Sequence, residues 1–404
     1  MDPNYKKLRK HYLKSTKNRD ESLSKDWSAF RRVEKKYMAR FPPPDLSATL
    51  DVRNLSSGSE SKATLCTEVA GPSSSPQRIF AFPHIPGLVV LPSFIDEQEQ
   101  RRLTKWALRD HAKSPNPTNL DIHYHLPPEG LWNQHLSSIS NTNTSDCPLI
   151  QPRAASSDDR GKPTSGPREL IDNEAASETN FTALRDTPKP EAPSEAQLKP
   201  ATSTSLIAKL RWANIGWYYH WGTKQYDFTR GKGPINQELE SLCRNAVRTV
   251  NWETVFSPLE QEFTEWRDWD ESYVPDAGIV NFYQTKDTLM AHVDRSEVCA
   301  TSPLVSISLG NSAIFLIGGT TRDEEPTPII LHSGDVVIMA GPVCRRAYHG
   351  VPRILPGTLP NHLVIDPDDE EEWVPYHKYI ANSRINVNVR QVFPKGFTPP
   401  IASP

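Results

Sequence analysis

Short runs of apolar residues, separated by turn-forming residues, repeat along the C-terminal half of the chain. Several of these runs are rich in β-branched and aromatic residues and have the length of single strands. The predicted strands are 278–283, 304–309, 313–317, 327–331, 335–340 and 385–393. Pairs such as Gly310 with Asn311 and Ser333 with Gly334 lie between them and favour tight turns. Many short strands at this spacing predict an antiparallel sandwich, jelly roll or barrel.

Helical periodicity is found mainly in the regions that precede these strands. Apolar residues at the spacing of one helix face predict a helix over 25–40, which must end before the prolines at 42–44. These apolar residues are Trp27, Phe30, Val33, Tyr37 and Met38. Further predicted elements are a buried strand at 87–91, a helix from 94 to about residue 112, strand-like sequence over 206–219 and a helix over 235–252. The pattern predicts an α+β chain with a mainly β core and helices on its N-terminal side.

Composition changes twice along the chain. Prolines number 37 against 19 glycines, and only 36% of the residues are hydrophobic, so part of the chain has too little apolar surface to fold. Residues 41–76 are rich in Ser and Thr and are predicted to form a linker. Residues 137–204 contain Ser, Thr, Asn, Pro and Asp in place of large apolar residues, which predicts a disordered insertion within a domain.

Charge is distributed unevenly along the chain. The first 40 residues carry 13 Lys and Arg against 5 Asp and Glu, whereas the whole chain has a net charge of −3. A basic extension on an acidic body is typical of a segment that binds polyanions, and equally of a solvated helix. The absence of a long apolar run argues against a membrane span, and the polar N-terminus argues against secretion. Five cysteines without C-x-x-C spacing exclude a cysteine zinc site and indicate free thiols.

The first candidate for chemistry is the tripeptide of His292, Val293 and Asp294. Residues two apart on a strand project from the same face, so both polar side chains can reach one metal ion. A second histidine from elsewhere in the β-core would complete the set of two histidines and one carboxylate that holds non-haem Fe(II) with open positions. Because the chain has 12 histidines, the tripeptide alone is a weak indication.

The second histidine has four candidates, which are His332, His349, His362 and His377. His332 precedes a predicted turn, and His362 and His377 flank an acidic stretch that is typical of an exposed loop. His349 follows a predicted strand, and a return strand there would bring it beside His292. We favour His349 for this reason, although the spacing alone leaves the choice open.

The segment 384–390 is the second candidate, because its polar and apolar residues alternate. Its polar residues are Arg384, Asn386, Asn388 and Arg390, and its apolar residues are Ile385, Val387 and Val389. If the polar face points into the β-core, its arginines need anionic partners, since unpaired buried charge is costly. A dicarboxylate would supply them. Without a metal site, the same alternation would predict an exposed polar face. Asn281 and Tyr283 share a face of a preceding strand and could hydrogen-bond the same ligand.

Together these stretches resemble the AlkB family of Fe(II)/2-oxoglutarate dioxygenases, most closely its eukaryotic AlkB homologue 1 subgroup of fungal type. The resemblance covers residues 85–135 and 205–395 in outline. Its motifs are 281–283, 292–297, 312–319, 332–335, 351–353 and 384–392, and their combined order is more specific than any one of them. The fold that the resemblance implies is a double-stranded β-helix, a form of jelly roll, with N-terminal helices and the long disordered insertion.

The resemblance also implies a division of the chain into segments. These are a basic helical extension (1–40), a linker (41–76), the N-terminal part of the catalytic domain (77–136), the disordered insertion (137–204), a nucleotide-recognition lid with the dioxygenase core (205–395) and a tail (396–404).

Roles for single residues follow from the same resemblance. His292, Asp294 and His349 match the iron ligands and so the catalytic centre. The residues that match the 2-oxoglutarate pocket are Asn281, Tyr283, Arg384, Asn386 and Arg390, with Arg384 at the distal carboxylate. Candidate substrate-binding residues, some of which would stack on a flipped base, are Trp132, Gly216, Trp217, Tyr218, Tyr226 and Glu297, with Tyr219 and Trp221 in the same lid. The aromatic residues could equally be core residues of a buried strand.

The activity that the resemblance implies is oxidative demethylation of N-methylated adenine or cytosine in DNA or RNA, tRNA included. Fe(II), 2-oxoglutarate and dioxygen would be its cofactors, and formaldehyde and succinate its products. The basic N-terminal segment and the lid would bind the nucleic acid, in the nucleus or cytoplasm or in the mitochondrion. Two alternatives are a hydroxylase or demethylase of histones or ribosomal proteins and an inactive nucleic-acid-binding module. The aromatic lid favours nucleic acid over protein, and the intact metal set argues against an inactive module.

Overall fold

The computed structural model describes residues 27–55, 65–71, 77–140, 148–153, 174–189, 198–257, 263–365 and 371–399. The strands in these residues are β1 (Thr67–Glu68), β2 (Phe80–Ala81), β3 (Leu88–Leu91), β4 (Trp212–Gly216), β5 (Tyr219–His220), β6 (Gln225–Tyr226), β7 (Ala277–Gln284), β8 (Leu289–His292), β9 (Leu304–Gly310), β10 (Ala313–Ile317), β11 (Thr327–Leu331), β12 (Val336–Met339), β13 (His349–Ile354) and β14 (Ser383–Arg390).

Helices precede the strands and connect some of them. The α-helices are α1 (Ala29–Met38), α2 (Glu97–Lys105), α3 (Leu131–Ser140), α4 (Phe181–Asp186), α5 (Ser203–Ile207), α6 (Gln237–Arg248), α7 (Trp252–Phe256), α8 (Trp269–Ser272), α9 (Gly341–Cys344) and α10 (Trp373–Ile380). A π-helical segment, Trp106–His111, continues α2. Short 3₁₀ turns lie at Val52–Asn54, Phe228–Arg230, Glu265–Asp268 and Asn361–Leu363.

Two antiparallel sheets form the core of the fold. The larger has eight strands in the order β1-β2-β3-β12-β9-β14-β7-β4, and the smaller has four in the order β11-β10-β13-β8. From β7 onward the chain crosses between the sheets after every strand except β10, which is followed by β11 in the same sheet. This path is a jelly roll, and it confirms the predicted fold class. A separate two-stranded hairpin, β5 with β6, lies outside both sheets.

The two faces of the larger sheet bury different layers. Its outer face packs against the helices in a large hydrophobic cluster, which contains the three apolar residues of the alternating segment in β14. Its inner face packs against the smaller sheet, for example through Val337 and Phe315. Since side chains alternate along a strand, the polar residues of β14 point into the space between the sheets. These residues are Arg384, Asn386, Asn388 and Arg390.

Helix α1 covers the outer face of the smaller sheet. The Ser28 side chain caps its first turn by accepting a hydrogen bond from a backbone amide. Phe30 and Tyr37 on its apolar face pack against Ile314 and Leu316 of β10. The predicted N-terminal helix is therefore present, and the rest of the predicted basic extension lies outside the described residues.

The described parts of the segment 137–204 differ from the predicted disorder. Phe181 of α4 is 1% exposed and packs into an aromatic cluster beside the C-terminal strand. The Ala176 amide donates to the Arg295 carbonyl at 2.8 Å, and Ile150 forms a β-bridge with Ala201. Single apolar residues thus anchor this polar segment wherever one of them packs against an apolar surface. The average composition of the segment does not predict such contacts. The remaining residues of the segment lie outside the described ranges.

Two further predictions change at the level of single elements. The strand-like stretch over 206–219 begins instead as the end of α5, and only its middle forms β4. The short edge strand β8 is absent from the predicted set. The predicted linker also contributes to the core, because Leu50 and Val52 are buried between the sheets.

The cysteines fit the predicted free thiols. Cys66, Cys243, Cys299 and Cys344 are buried and unpaired, and Cys147 lies outside the described residues. In the part of the chain that the structure describes, every helix is too short or too polar to cross a membrane.

Candidate active site

Strand register brings His292 and His349 side by side. In the antiparallel pair of β8 and β13, His292 is the direct partner of His349. Directly opposed residues of such a pair project from the same face, so the two imidazole rings meet with centroids 4.4 Å apart. Asp294 follows in the loop after β8, and one ligand atom from each of the three residues lies within 4.8 Å of the other two. The three residues form the metal-ligand cluster.

The other three candidate histidines are hydrogen-bonded away from this cluster. Their contacts are His332 Nε2 with Asp51 Oδ2 at 3.1 Å, His362 Nε2 with Gln100 Oε1 at 2.9 Å, and His377 Nδ1 with the Leu363 carbonyl oxygen at 3.0 Å. Within the ranges that the structure covers, His292, Asp294 and His349 are the only group of three potential metal ligands. Of the four candidate histidines, His349 is therefore the one that lies beside His292 and Asp294.

Backbone carbonyls fix the protonation of both rings in the metal-ligand cluster. His292 Nδ1 lies 2.9 Å from the Met290 carbonyl oxygen, and His349 Nδ1 lies 3.1 Å from that of Ala347. A carbonyl oxygen only accepts, so each Nδ1 carries a proton, and the Nε2 of the neutral ring is then the atom that can bind a metal. Burial lowers the pKa of His349 to about 4, which keeps this ring neutral at physiological pH.

Asp294 is held as a carboxylate by the groups around it. Burial alone would raise its pKa, but Arg390 and the two histidines hold the pKa well below its usual range. Arg390 Nη1 lies 3.1 Å from Asp294 Oδ2, and Asp294 Oδ1 lies 3.8 Å from His292 Nε2. One carboxylate oxygen is thus bound by Arg390, and the other faces the histidines.

These three side chains fit Fe(II). Two imidazoles and one carboxylate are the donor set of non-haem Fe(II) sites that keep open positions. The neutral His349 imidazole and the ionised Asp294 carboxylate are already in the states that metal binding requires. Fe(II) would therefore be held by His292, Asp294 and His349.

Arg384 is a buried arginine with two unused donors. Its side chain is 1% exposed on β14, and its Nη2 donates to Ser308 Oγ at 2.9 Å. Nε and Nη1 are buried without a hydrogen-bond partner among the described residues. Burial lowers the pKa of Arg384 to about 10, so the guanidinium stays cationic at neutral pH. A buried cation with free donors is suited to a carboxylate ligand.

The other residues predicted for the 2-oxoglutarate pocket lie beside Arg384 on neighbouring strands. In the pairing of β14 with β7, Arg384 lies opposite Tyr283, and its guanidinium is 5.6 Å from the centroid of that ring. Asn386 lies opposite Asn281, and the Asn281 amide donates to Asn386 Oδ1 at 3.4 Å. The structure thus brings these four predicted residues together on the inner face of the larger sheet, and Arg390 lies at the end of the same row.

Arg390, Glu297 and Arg345 form a buried ion cluster around Asp294. Arg390 Nη1 donates to Glu297 Oε1 at 2.7 Å, and Arg345 Nη2 lies 3.5 Å from Glu297 Oε2. Arg345 is 1% exposed, and its Nη1 lies 3.9 Å from Asp294 Oδ2. Opposite charges at these distances restrain the Asp294 carboxylate. Arg345 is not among the residues predicted from the sequence, although it lies only a few positions before His349.

The structure places Glu297 and Tyr226, which are predicted to contact the substrate, in its interior. Glu297 is 1% exposed and Tyr226 is 4% exposed. The Tyr226 hydroxyl donates to Glu297 Oε1 at 3.3 Å, beside Arg390. Both side chains belong to the buried ion cluster, because an acidic group this deep must be paired with cations. Their contact with the substrate stays a prediction.

The structure places Trp132 and Gly216, which are also predicted to bind the substrate, in packed surroundings. Trp132 is 2% exposed on α3, and its ring packs against Tyr376 of α10 with centroids 4.8 Å apart. Gly216 has a φ of 64°, and a Cβ at this position would lie 2.2 Å from the Asp276 carbonyl oxygen. Trp132 is thus a core residue of this structure, and Gly216 is required where the chain leaves β4. Substrate contact by either residue stays a prediction.

Trp217 and Tyr218 are partly buried at the start of the predicted lid. The Trp217 ring contacts Phe228 and Phe393 edge-on, in the aromatic cluster that also buries Phe181. The Arg230 guanidinium lies 4.2 Å from the centroid of the Tyr218 ring, which is a cation–π contact. Stacking of these two side chains on a base stays a prediction.

The hairpin of β5 and β6 contacts the loop that follows Asp294, and it carries two more aromatic residues, Tyr219 and Trp221. Its turn residue Lys224 accepts a hydrogen bond from Ser296 Oγ at 2.9 Å, two positions after Asp294. Burial raises the pKa of Tyr219, and the nearby charge of Asp294 adds to this shift. Trp221 contacts Tyr219 edge-on with centroids 5.0 Å apart and is 41% exposed. Trp221 is therefore the accessible aromatic side chain of this hairpin.

Comparison with known proteins agrees with this geometry. Residues 168–390 match the 2OG-Fe(II) oxygenase superfamily. The chain is similar to the tRNA demethylase abh1 of Schizosaccharomyces pombe, with 30% identity over 373 residues, covering 91% of this chain and 96% of that protein. It is also similar to the DNA N(6)-methyladenine demethylase ALKBH1A of Arabidopsis thaliana, with 29% identity over 388 residues, covering 91% and 97%. A third relative is the N6-methyladenosine RNA demethylase ALKB1 of Pyricularia oryzae, with 28% identity over 329 residues, covering 78% and 76%.

Proposed function

The chain belongs to the 2OG-Fe(II) oxygenase superfamily, within the AlkB homologue 1 subgroup, and we propose that it demethylates N-methylated adenine or cytosine in DNA or RNA, tRNA included. It is an enzyme that uses Fe(II), 2-oxoglutarate and dioxygen. The observation that carries the proposal is the cluster of His292, Asp294 and His349. Arg390 of β14 pairs with Asp294, and Arg384 of the same strand is buried with two donor nitrogens that lack a hydrogen-bond partner among the described residues.

The residues of the site would hold the reactants in place. When bound, Fe(II) and 2-oxoglutarate supply the oxidation of an N-methyl carbon by dioxygen, with succinate, carbon dioxide and formaldehyde as products. His292 and His349 would offer their Nε2 atoms as ligands. Arg390 restrains one oxygen of Asp294 and would leave the other to the metal. Arg384 would receive a carboxylate of 2-oxoglutarate on its free donors.

Aromatic side chains of the hairpin of β5 and β6 support a nucleic-acid base as the substrate. Enzymes that act on a base take it out of the stack and hold it against aromatic or apolar side chains. Trp221 is exposed, contacts Tyr219, and lies 5.4 Å from the Trp212 ring, so it presents a fixed ring. Stacking of a base on such a ring contributes about 1–3 kcal/mol. The three relatives described above carry names that specify tRNA, DNA or RNA demethylation.

The basic N-terminal extension supports binding of the phosphate backbone. Helix α1 packs against β13 and β8, the strands that carry the metal-binding histidines. Arg32 and Lys36 are exposed on this helix, and the preceding residues add further basic side chains. Each phosphate contact releases counterions, so binding through this extension weakens steeply as salt rises. We propose that residues 1–40 increase affinity for nucleic acid without selecting the base.

The experiment that tests the proposal is a panel of methylated substrates. DNA, RNA and tRNA-derived oligonucleotides of matched sequence would carry N-methylated adenine or cytosine, and methylated histone peptides would be included. Formaldehyde release and loss of the methylated nucleoside by mass spectrometry are the readouts. The double variant H292A/D294A tests the metal-ligand cluster, and H332A, a histidine bound to Asp51 away from this cluster, is the matched control.

We expect demethylation of at least one nucleic-acid class by the wild type and by H332A, and none by H292A/D294A. Demethylation that persists in H292A/D294A would refute the assigned centre. Formaldehyde release from the peptides alone would refute the nucleic-acid substrate and retain the iron chemistry. Iron binding without turnover of any substrate would favour the inactive binding module.

A further inference from the structure

Strand β8, which ends at His292, lies at the edge of the smaller sheet. It is four residues long and pairs with β13 on one side only. Edge strands leave a row of backbone groups without sheet partners, and a short one is held by few hydrogen bonds. The register with β13 is also interrupted between His349 and Val351. Contacts from outside the sheet are therefore needed to fix the position of His292.

A buried glutamate of α1 supplies such a contact. Glu34 is 2% exposed, and its Oε1 accepts a hydrogen bond from the Ala291 amide at 2.8 Å, one residue before His292. The other carboxylate oxygen is paired with Arg31. The Ala291 carbonyl is bound as well, since it accepts from Arg322 Nη2 at 3.2 Å. Hydrogen bonds between a backbone group and a charged side chain are stronger than neutral ones.

The same contacts reach the second histidine. The Phe30 amide of α1 donates to the Arg322 carbonyl at 2.9 Å. The Arg322 guanidinium lies 5.1 Å from the ring centroid of Tyr348, the residue before His349. Ala291 and Tyr348 both pack against the hydrophobic cluster that α1 forms on the smaller sheet. Helix α1 thus contacts the residue before each metal-binding histidine.

We propose that Glu34 is a positioning residue for the metal centre. By binding the Ala291 amide it holds β8 in place, so that His292 faces His349 and Asp294. Glu34 acts through the backbone and does not contact the metal. The proposal rests on the metal site of the proposed function and is independent of the substrate.

Three variants of the full chain separate this role from a general effect on stability. E34A removes the acceptor, whereas E34Q keeps an amide oxygen that can still accept from the Ala291 amide. V33A is the matched control, because Val33 packs in the same α1 cluster and leaves the acceptor in place. The measurements are Co(II) affinity of the metal-free protein, hydrogen exchange in a peptide that covers β8, and the thermal unfolding midpoint. H292A is the reference for loss of a ligand.

We expect E34A to lower Co(II) affinity by about 10- to 100-fold, the range for residues that support a metal ligand. Hydrogen exchange at β8 should rise in the same variant. V33A should bind Co(II) like the wild type, and E34Q, which keeps a neutral hydrogen bond to the Ala291 amide, should lose less affinity than E34A. An E34A variant with wild-type Co(II) affinity would overturn the proposal, as would V33A losing as much affinity as E34A. If the wild type and H292A bind Co(II) equally, the metal site itself is refuted and the role of Glu34 with it. Normal Co(II) binding without demethylation would refute only the proposed substrate.

Discussion

Replacing Arg384 by methionine should weaken 2-oxoglutarate binding and, in the absence of 2-oxoglutarate, stabilise the protein. The side chain is 1% exposed, and among the described residues only its Nη2 has a hydrogen-bond partner, Ser308 Oγ at 2.9 Å. A buried charge without a full set of partners destabilises the fold, and an apolar side chain of similar length removes this penalty. The same two free donors are what a bound carboxylate would use. The two effects of one substitution therefore have opposite signs.

The expected magnitudes follow from the two unused donors. Each buried donor without a partner costs about 1–3 kcal/mol, and loss of the Ser308 hydrogen bond offsets about 1 kcal/mol. R384M should therefore raise the free energy of unfolding of the ligand-free protein by roughly 1–5 kcal/mol. Two charge-assisted hydrogen bonds to 2-oxoglutarate, at about 1.5–3 kcal/mol each, are lost in the variant. This loss corresponds to a roughly 10²- to 10⁴-fold weaker affinity for 2-oxoglutarate.

Urea unfolding without ligand, and the shift of the thermal midpoint when 2-oxoglutarate and Mn(II) are added, measure the two effects separately. R353M is the matched control, since Arg353 of β13 donates to the Ala39 carbonyl at 2.7 Å, outside the predicted pocket. R353M should keep the full thermal shift with 2-oxoglutarate, and R384M should lose it. A ligand-free R384M that is less stable than the wild type, together with an undiminished shift, would refute the reasoning.

Three other predictions follow from the site and its surroundings. W221A should lower kcat/KM for a methylated oligonucleotide by about 5- to 150-fold with an unchanged KM for 2-oxoglutarate, and an unchanged kcat/KM would contradict stacking on Trp221. E297Q should lower the free energy of unfolding by about 3–5 kcal/mol in urea, because Arg390 and Arg345 lose their shared carboxylate; a loss under about 1 kcal/mol would contradict this. Burial raises the pKa of Asp276 to about 7, whereas an aspartate in the unfolded chain has a pKa of about 3.9. The folded state therefore keeps a proton that the unfolded chain releases between these values. The stabilisation by protonated Asp276 is complete below about pH 4 and is lost as the pH rises to 7. The stability of the wild type relative to D276N should fall by up to about 4 kcal/mol over this range, and parallel pH profiles would contradict the assignment.

The direction of a side chain within a strand is predictable from the sequence, because it depends only on the alternation of residues along that strand. The alternation in β14 predicts that Ile385, Val387 and Val389 share one face, and they pack against the helical layer. The polar residues between them point the other way, toward the smaller sheet. The alternation therefore shows which residues share a face, whereas the choice between a functional face and an exposed one depends on the neighbouring metal site.

The partner of His292 is less predictable, because it depends on register between strands that are distant in the sequence. Four later histidines are compatible with spacing alone, and the resemblance to a known family is needed to choose His349. In the structure the choice follows from the pairing of β8 with β13, whose register is interrupted just after His349. Glu34 and Arg345 were beyond prediction for the same reason, since their contacts join remote segments.

Aromatic residues are the least predictable part of the substrate site. A tryptophan can fill a core or stack on a base, and the local sequence is the same in both cases. Trp132 is buried because α10, from the far end of the chain, packs on it. Phe181 is buried in a segment whose polar composition predicts disorder. In both cases tertiary packing decides the environment of a single large side chain.

The central claim is that this chain oxidises N-methyl groups of nucleic-acid bases at the centre formed by His292, Asp294 and His349. The most direct measurement counts succinate and formaldehyde in one reaction with a methylated oligonucleotide and with its unmethylated counterpart. We predict that formaldehyde accompanies succinate with the methylated strand, and that no formaldehyde forms with the unmethylated strand or with the variant H349A. Succinate without formaldehyde while the methyl group stays on the base, or equal formaldehyde from H349A, would contradict the claim.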